Sequence, residues 1–202
     1  MSALASTPVG RIGPNAITRV AEALRPRVGD GPTALIFSRA GLAAYLARPP
    51  EAMVAEAEVT RLHAVLRDVL GSADAREVAR DAGRRTAEYL LAHRIPKPVQ
   101  ALLKRLPAAL AARVLLAAIT RHAWTFAGSG RFSASAGHPV QLAIQDNPLC
   151  RGAAWAEPGC DFYAMCFEHL FRVLVHPDAR VIETACEACG ADACRFEIRW
   201  RA

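Results

Sequence analysis

The chain has 202 residues, 52% of them hydrophobic, and a mean hydropathy of +0.14, so it is long enough for one domain with a sizeable core. Its 25 basic and 19 acidic residues give a net charge of +6, which suits nucleic acid, an anionic membrane surface or carboxylated ligands. An arginine-rich composition alone carries little weight among these, and no nucleic-acid partner is expected. No apolar run reaches the roughly 20 residues of a membrane span and no secretion signal is visible, so the cytoplasm is the expected compartment, with peripheral attachment to a membrane left open.

Residues 1–122 are predicted to be mainly helical. Small, turn-forming residues over 1–10 indicate a loose arm. Apolar residues then recur at helical spacing in five stretches, which are 15–24, 56–70, 75–93, 99–106 and 108–121. Two short elements are also expected, a strand over 33–37 and a helix over 42–46.

Residues 123–202 are predicted to form a core that contains a sheet. Strand patterns cover 124–133, 139–145, 181–184 and 194–200, with a helix over 160–174 between the second and third strands. Helices followed by strand–strand–helix–strand–strand indicate an α+β fold in which an antiparallel sheet is packed with helices. Residues 1–202 are therefore expected to form a single domain.

The C-terminal hairpin contains three of the six cysteines, in the segment Glu183-Thr-Ala-Cys186-Glu-Ala-Cys189-Gly-Ala-Asp-Ala-Cys194. A closed zinc site needs a fourth ligand, and Cys160 at the predicted start of a helix is the best upstream candidate. Glu183 offers an oxygen ligand instead of Cys189. Two ligand sets therefore stay open: Cys160, Cys186, Cys189 and Cys194, or Cys160, Glu183, Cys186 and Cys194. Reduced core thiols, a disulfide and a redox-active pair are weaker alternatives.

This pattern, Cys160 followed by Glu183-x-x-Cys186-x-x-Cys189-Gly-x-x-x-Cys194-x-Phe196, resembles the 4-vinyl reductase domain family. The resemblance implies a small-molecule-binding domain. It also implies a structural zinc ion held by Cys160, Glu183, Cys186 and Cys194, with Cys189 as a nearby substitute ligand.

The chain as a whole is most similar to the branch of this family that belongs to bacteriochlorophyll synthesis. That resemblance implies a magnesium-tetrapyrrole ligand, of the magnesium protoporphyrin or divinyl protochlorophyllide type. It implies partners among the pathway enzymes, such as magnesium chelatase or the methyltransferase that follows it, and a homodimer as a further association. The family name also implies a vinyl reductase activity.

Motifs for redox chemistry are missing from the sequence. No G-x-G-x-x-G follows a predicted strand, and no P-loop or nucleophile elbow is present. A zinc ion would not supply electrons either, because zinc has no redox chemistry in proteins. The leading hypothesis is therefore a non-catalytic tetrapyrrole carrier or accessory factor. A reductase of the 8-vinyl (older name 4-vinyl) group of divinyl protochlorophyllide and a sensor of small aromatic molecules are the alternatives.

A tetrapyrrole needs apolar walls, arginines for its carboxylates and an imidazole for its magnesium. The apolar stretch 99–121 and the residues after it contain all three. The predicted ligand-binding residues are Leu115, Ile119, Arg121, His122 and Trp124. His93 and His138 are the other candidates for an axial ligand.

Overall fold

The computed structural model describes residues 10–201. The arm expected over residues 1–10 lies outside the described residues except for Gly10. The helices before residue 122 are α1 (Asn15–Val28), α2 (Asp30–Arg39), α3 (Ala44–Ala47), α4 (Glu56–His93), α5 (Lys97–Leu103) and α6 (Ala108–Arg121). A two-stranded ribbon pairs β1 (Arg11–Ile12) with β2 (Val54–Ala55). Helices make up most of the described chain before residue 122.

The remaining elements are α7 (Trp124–Ala127), β3 (Arg131–Ser135), β4 (Val140–Gln145), α8 (Asp161–Leu174), β5 (Arg180–Ala185) and β6 (Cys194–Arg199). The four longer strands form an antiparallel sheet in the order β3-β4-β6-β5. This arrangement confirms the predicted α+β class with helices packed on an antiparallel sheet. The boundaries of a single domain over residues 1–202 stay a prediction.

The sheet has one buried and one exposed face. Alternate residues of β6, namely Cys194, Phe196 and Ile198, are fully buried, while the residues between them point outward. Helix α8 covers the buried face, where the Phe167 ring meets the Phe196 ring edge-on at 5.8 Å between centroids. One apolar face and one solvated face are what period-2 patterning produces in an antiparallel sheet.

Helix α4 packs across α8 at close range. Its chain breaks helical geometry at Gly71, where φ is 75°, so it consists of two helical segments, as the sequence predicted. At Gly83 an added Cβ would collide with the carbonyl oxygen of Phe162 in α8. The close approach of the two helices therefore requires glycine at this position.

Two of the sequence-based assignments are wrong. Residues 33–37 lie in α2 and not in a strand, because Thr33, Ile36 and Phe37 are buried together at i, i+3 and i+4 spacing. The strand expected over 124–133 starts only at Arg131, since Trp124 begins the short helix α7. None of the helices within residues 10–201 is both long and apolar enough to cross a bilayer.

Candidate metal centre

Four separate parts of the chain bring cysteines to one point. Cys160 is the N-cap residue of α8, Cys186 follows β5, and Cys194 is the first residue of β6. The hairpin turns back through Gly190, whose φ of 90° is accessible chiefly to glycine. Cys150 comes from the loop between β4 and α8. The centre therefore ties a helix start, a loop and both strands of the hairpin together.

The four sulfur atoms have the spacing of a mononuclear tetrahedral site. Sγ of Cys194 lies 3.6 Å from Sγ of Cys150 and of Cys160, and 3.8 Å from Sγ of Cys186. The Cys160–Cys186 separation is 3.8 Å, and all four sulfurs lie within 4.8 Å of one another. Four sulfurs held about 2.3 Å from one zinc ion are about 3.8 Å apart. The donor set and its dimensions therefore fit zinc.

Burial makes these thiols unusual. Cys150, Cys160, Cys186 and Cys194 are at most 2% exposed, and none forms a disulfide. Hydrogen bonding from the Cys150, Cys186 and Cys194 side chains, together with burial, raises the pKa of the Cys160 thiol well above its usual value. Four thiols packed this closely cannot all ionise without a cation that neutralises them. A divalent metal held by the four sulfurs would supply that charge, and its binding would release the protons.

Polar groups around the sulfurs suit thiolates. The Asn147 side-chain amide donates a hydrogen bond to Sγ of Cys160 at 3.3 Å, and the backbone N–H of Glu187 donates to Sγ of Cys194 at 3.5 Å. The Glu187 carboxylate accepts hydrogen bonds from the backbone N–H groups of Asp146 and Asn147, which fixes the loop against the hairpin. Such outer contacts orient metal ligands and are part of a built site.

Glu183 lies beside the sulfur cluster but is not one of its four mutually close members. Its Oε2 accepts a hydrogen bond from the backbone N–H of Cys160 at 2.7 Å. Its Oε1 is buried with no hydrogen-bond partner within residues 10–201. Burial, followed by the nearby Cys186 charge, raises the pKa of this carboxyl to about 9. A cation in the cluster would favour the ionised carboxylate, so Glu183 is either a ligand in place of Cys150 or an adjacent anion.

Three cysteines of the ligand sets predicted from the sequence belong to the four-sulfur cluster. The structure brings Cys160, Cys186 and Cys194 of the predicted set together and leaves the alternative ligand Cys189 exposed on the hairpin turn. The sequence does not single out Cys150, because its loop shows no periodicity that would place it. A weak local signal is its position ten residues before Cys160, just after the turn at Asp146. Which set binds the ion stays a prediction.

A small cavity adjoins Cys160 and has room for about one water molecule. Its lining includes His63, Arg67 and Trp155, and the Arg67 guanidinium lies 3.7 Å from the centroid of the Trp155 ring. Burial lowers the pKa of His63 to about 4, so this imidazole is neutral near pH 7. The cavity is far too small for a macrocycle.

The predicted ligand-binding residues lie on and directly after α6. Leu115 and Ile119 are buried on the inner face of that helix, whereas Arg121, His122 and Trp124 are exposed at its C-terminal end. The structure therefore places Leu115, Ile119 and Arg121 on α6, His122 at its C-cap and Trp124 in α7, with the first two buried and the other three exposed. Their role in ligand binding stays a prediction.

Comparison with known proteins identifies the family. The profile of the 4-vinyl reductase domain, abbreviated V-4-R domain, matches residues 140–200. Two proteins named "Bacteriochlorophyll synthase 23 kDa chain" are similar over nearly the whole length: one from Cereibacter sphaeroides is 46% identical over 93% of this chain and 90% of its own, and one from Rhodobacter capsulatus is 38% identical over 93% and 86%.

Among solved structures, one described as "Probing the function of heme distortion in the H-NOX family" has a similar fold, with a TM-score of 0.57, 14% identity, and coverage of 95% of this chain and 96% of that one. The resemblance to the 4-vinyl reductase domain family, which was recognised from the cysteine pattern, is confirmed by the domain match and the two full-length relatives. The chain belongs to the 4-vinyl reductase domain family, among the relatives of the bacteriochlorophyll synthase 23 kDa chain.

Proposed function

We propose that this protein acts in bacteriochlorophyll biosynthesis, binds a magnesium-tetrapyrrole intermediate and serves the pathway enzymes as a carrier or accessory factor. The observation that carries the proposal is the 46% identity over 93% of the chain to a protein named as a chain of bacteriochlorophyll synthase. The similarity in fold to a structure described by the distortion of its heme supports a tetrapyrrole as the class of ligand.

The ligand site that we propose lies between α6 and the sheet. Leu115 and Ile119 supply the apolar wall, Arg121 pairs with a propionate, and His122 binds the magnesium. The inner face of α6 packs against the core in the described structure, so a macrocycle enters only if this helix moves outward. Pro107 precedes α6 without a side-chain cap, and Gly128 with φ of 60° follows α7, so both ends offer hinge positions.

The metal centre has a structural role in this proposal. A zinc ion held by Cys150, Cys160, Cys186 and Cys194, or by Glu183 in place of Cys150, would supply charge neutralisation and no electron transfer. These residues anchor the start of α8 to the β5–β6 hairpin. The anchored sheet and α8 then form the rigid wall against which α6 moves.

Titration of the Soret band of magnesium protoporphyrin tests the ligand-binding part of the proposal. We expect saturable binding by one ligand per chain. His122→Ala should weaken binding about tenfold, which corresponds to about 1.4 kcal/mol, and should shift the band because the magnesium loses an axial nitrogen. Arg48→Ala, which changes an exposed arginine outside the proposed site, serves as the control. An unsaturable or unchanged band would contradict the proposal.

The same purified protein separates the carrier from the two alternatives. Incubation with divinyl protochlorophyllide and NADPH should leave the 8-vinyl group unreduced, because the chain shows no nicotinamide-binding motif. Phenols should not displace the macrocycle. Reduction by the lone polypeptide would identify an enzyme, and tight phenol binding without porphyrin binding would identify a sensor. Magnesium chelatase and the following methyltransferase are the partners to test first by co-purification.

A further inference from the structure

The positive charge of this protein is concentrated in one segment. Residues 89–145 contain no Asp or Glu and seven Lys or Arg, among them the two lysines of the chain. Because the chain has 25 basic residues in total, 18 remain elsewhere against 19 acidic ones. The whole excess of positive charge therefore belongs to this acid-free segment, which includes α5 and α6.

The charges of the acid-free segment are not neutralised within the protein. None of its seven basic side chains forms an ion pair with any residue between 10 and 201, whereas eleven arginines elsewhere do so. Arg76, for example, pairs with Asp161 at 2.9 Å. The basic side chains of α5, α6 and their connection are also exposed: Lys97, Lys104, Arg105, Arg113 and Arg121. This surface is open to an external anionic partner.

Exposed apolar side chains are concentrated in the same segment. Of the seven large hydrophobic residues that are exposed within the described structure, five lie between positions 99 and 124: Val99, Leu102, Leu110, Val114 and Trp124. Trp124 is 60% exposed. Water-exposed groups of this size in one stretch mark an interaction surface.

On α6 the two kinds of side chain share one stripe. Arg113, Val114 and Arg121 follow Leu110 by three, four and eleven residues, so all four project from the same side of the helix, and all four are exposed. The opposite side carries the buried Leu115. Helix α6 therefore buries an apolar face against the core and exposes a stripe of basic and apolar side chains on its outer face.

We infer that this α5–α6 surface, residues 97–124, docks onto the surface of an anionic lipid bilayer. A bilayer satisfies both features, because its phosphate headgroups neutralise the lysines and arginines while its upper acyl region takes up the leucines, the valines and the Trp124 ring. A nucleic acid would take the charge and leave the aliphatic side chains in water. The contact is peripheral, since no described helix can span the membrane.

Co-sedimentation with vesicles tests the docking surface without any pigment. The metal-loaded full chain should bind vesicles of phosphatidylcholine mixed with phosphatidylglycerol and should not bind phosphatidylcholine alone. The triple variant Lys104→Glu/Arg105→Glu/Arg113→Glu should bind at least about 100-fold more weakly, because each basic residue near an anionic surface contributes roughly a factor of five. High salt should weaken wild-type binding in the same direction.

A matched control separates the surface from net charge. Arg39→Glu/Arg48→Glu/Arg201→Glu makes the same change in net charge at exposed, unpaired arginines outside the acid-free segment, and it should retain most of the binding. Leu110→Ser/Val114→Ser leaves the charge intact and should weaken binding about tenfold through lost apolar contact. Melting curves must show that all variants are folded.

Three results would overturn the inference. The first is equal binding to neutral and anionic vesicles, and the second is equal loss in the control and test triple variants. The third is absent vesicle binding together with concentration-dependent self-association that Leu110→Ser/Val114→Ser abolishes. That combination would assign the surface to a second copy of this chain.

Discussion

Replacing Cys150 by serine tests the metal centre at the one candidate cysteine that lies outside the sequence pattern running from Cys160 to Cys194. Its sulfur lies 3.6 Å from that of Cys194 and the residue is only 2% exposed, so the hydroxyl of serine would be a poor substitute in a site built for thiolates. A structural zinc site contributes roughly 10–16 kcal/mol of apparent binding energy over four ligands. Loss of one ligand therefore removes about 3 kcal/mol, on the order of a 100-fold loss of affinity.

The measurement is zinc competition with a chromophoric chelator, with metal content determined on the same samples. Cys189→Ser is the matched control, because it makes the same chemical change at an exposed thiol of the same hairpin and should keep wild-type affinity. Glu183→Gln keeps the size of the side chain and removes its charge, so it should cost less affinity than Cys150→Ser. If Glu183→Gln loses the metal while Cys150→Ser retains it, the ligand set with Glu183 is correct and the four-sulfur assignment is refuted.

Two further predictions concern packing and pH. Gly83→Ala should destabilise the protein by about 1–3 kcal/mol, because the added Cβ collides with the Phe162 carbonyl. An unchanged free energy of unfolding in chemical denaturation would contradict the packing of α4 on α8. The pKa of His63 is about 4 in the folded protein against 6.5 as its ordinary value, so the unfolded chain binds the extra proton first as pH falls. Stability should therefore decline from about pH 6.5 to 4, and wild type should lose about 3 kcal/mol more than His63→Gln over that window; parallel profiles for the two proteins would show that His63 is not buried in its neutral form.

The sheet and the hairpin were predictable because their signal is local. Alternation from Cys194 to Trp200 has the period of a half-buried strand, and the structure buries Cys194, Phe196 and Ile198 on one side. The glycine between Cys189 and Cys194 marked the turn, which Gly190 makes with a positive φ. Such features depend on residues that are close in the sequence.

The errors arose where short patterns support two structures. The segment from Thr33 to Phe37 is short and rich in side chains that favour strands, so its composition predicts a strand. Its helical spacing becomes visible only when the structure shows which residues are buried. Trp124 and Phe126 favour a strand by composition, yet they follow α6 and continue as a short helix. In both cases the packing of neighbouring helices decided the structure, and this packing cannot be read from a window of five residues.

The metal centre was half predictable for a related reason. The cysteines of the hairpin and the cysteine at the start of α8 carry recognisable spacing. Cys150 lies in a loop whose backbone at Asp146 and Asn147 is held against the hairpin by the Glu187 carboxylate. That long-range contact has no local sequence pattern. The exposed positions of Arg121 and His122 were likewise not predictable, since the outward orientation of the end of α6 depends on tertiary packing.

The absorption spectrum of the protein purified from a bacterium that makes bacteriochlorophyll shows whether the chain carries a tetrapyrrole. We expect a Soret band from a co-purifying magnesium tetrapyrrole that is retained through chromatography and keeps its vinyl groups unchanged after incubation with reductant. A protein that emerges colourless from such cells, and stays colourless when magnesium protoporphyrin is added, would contradict this expectation.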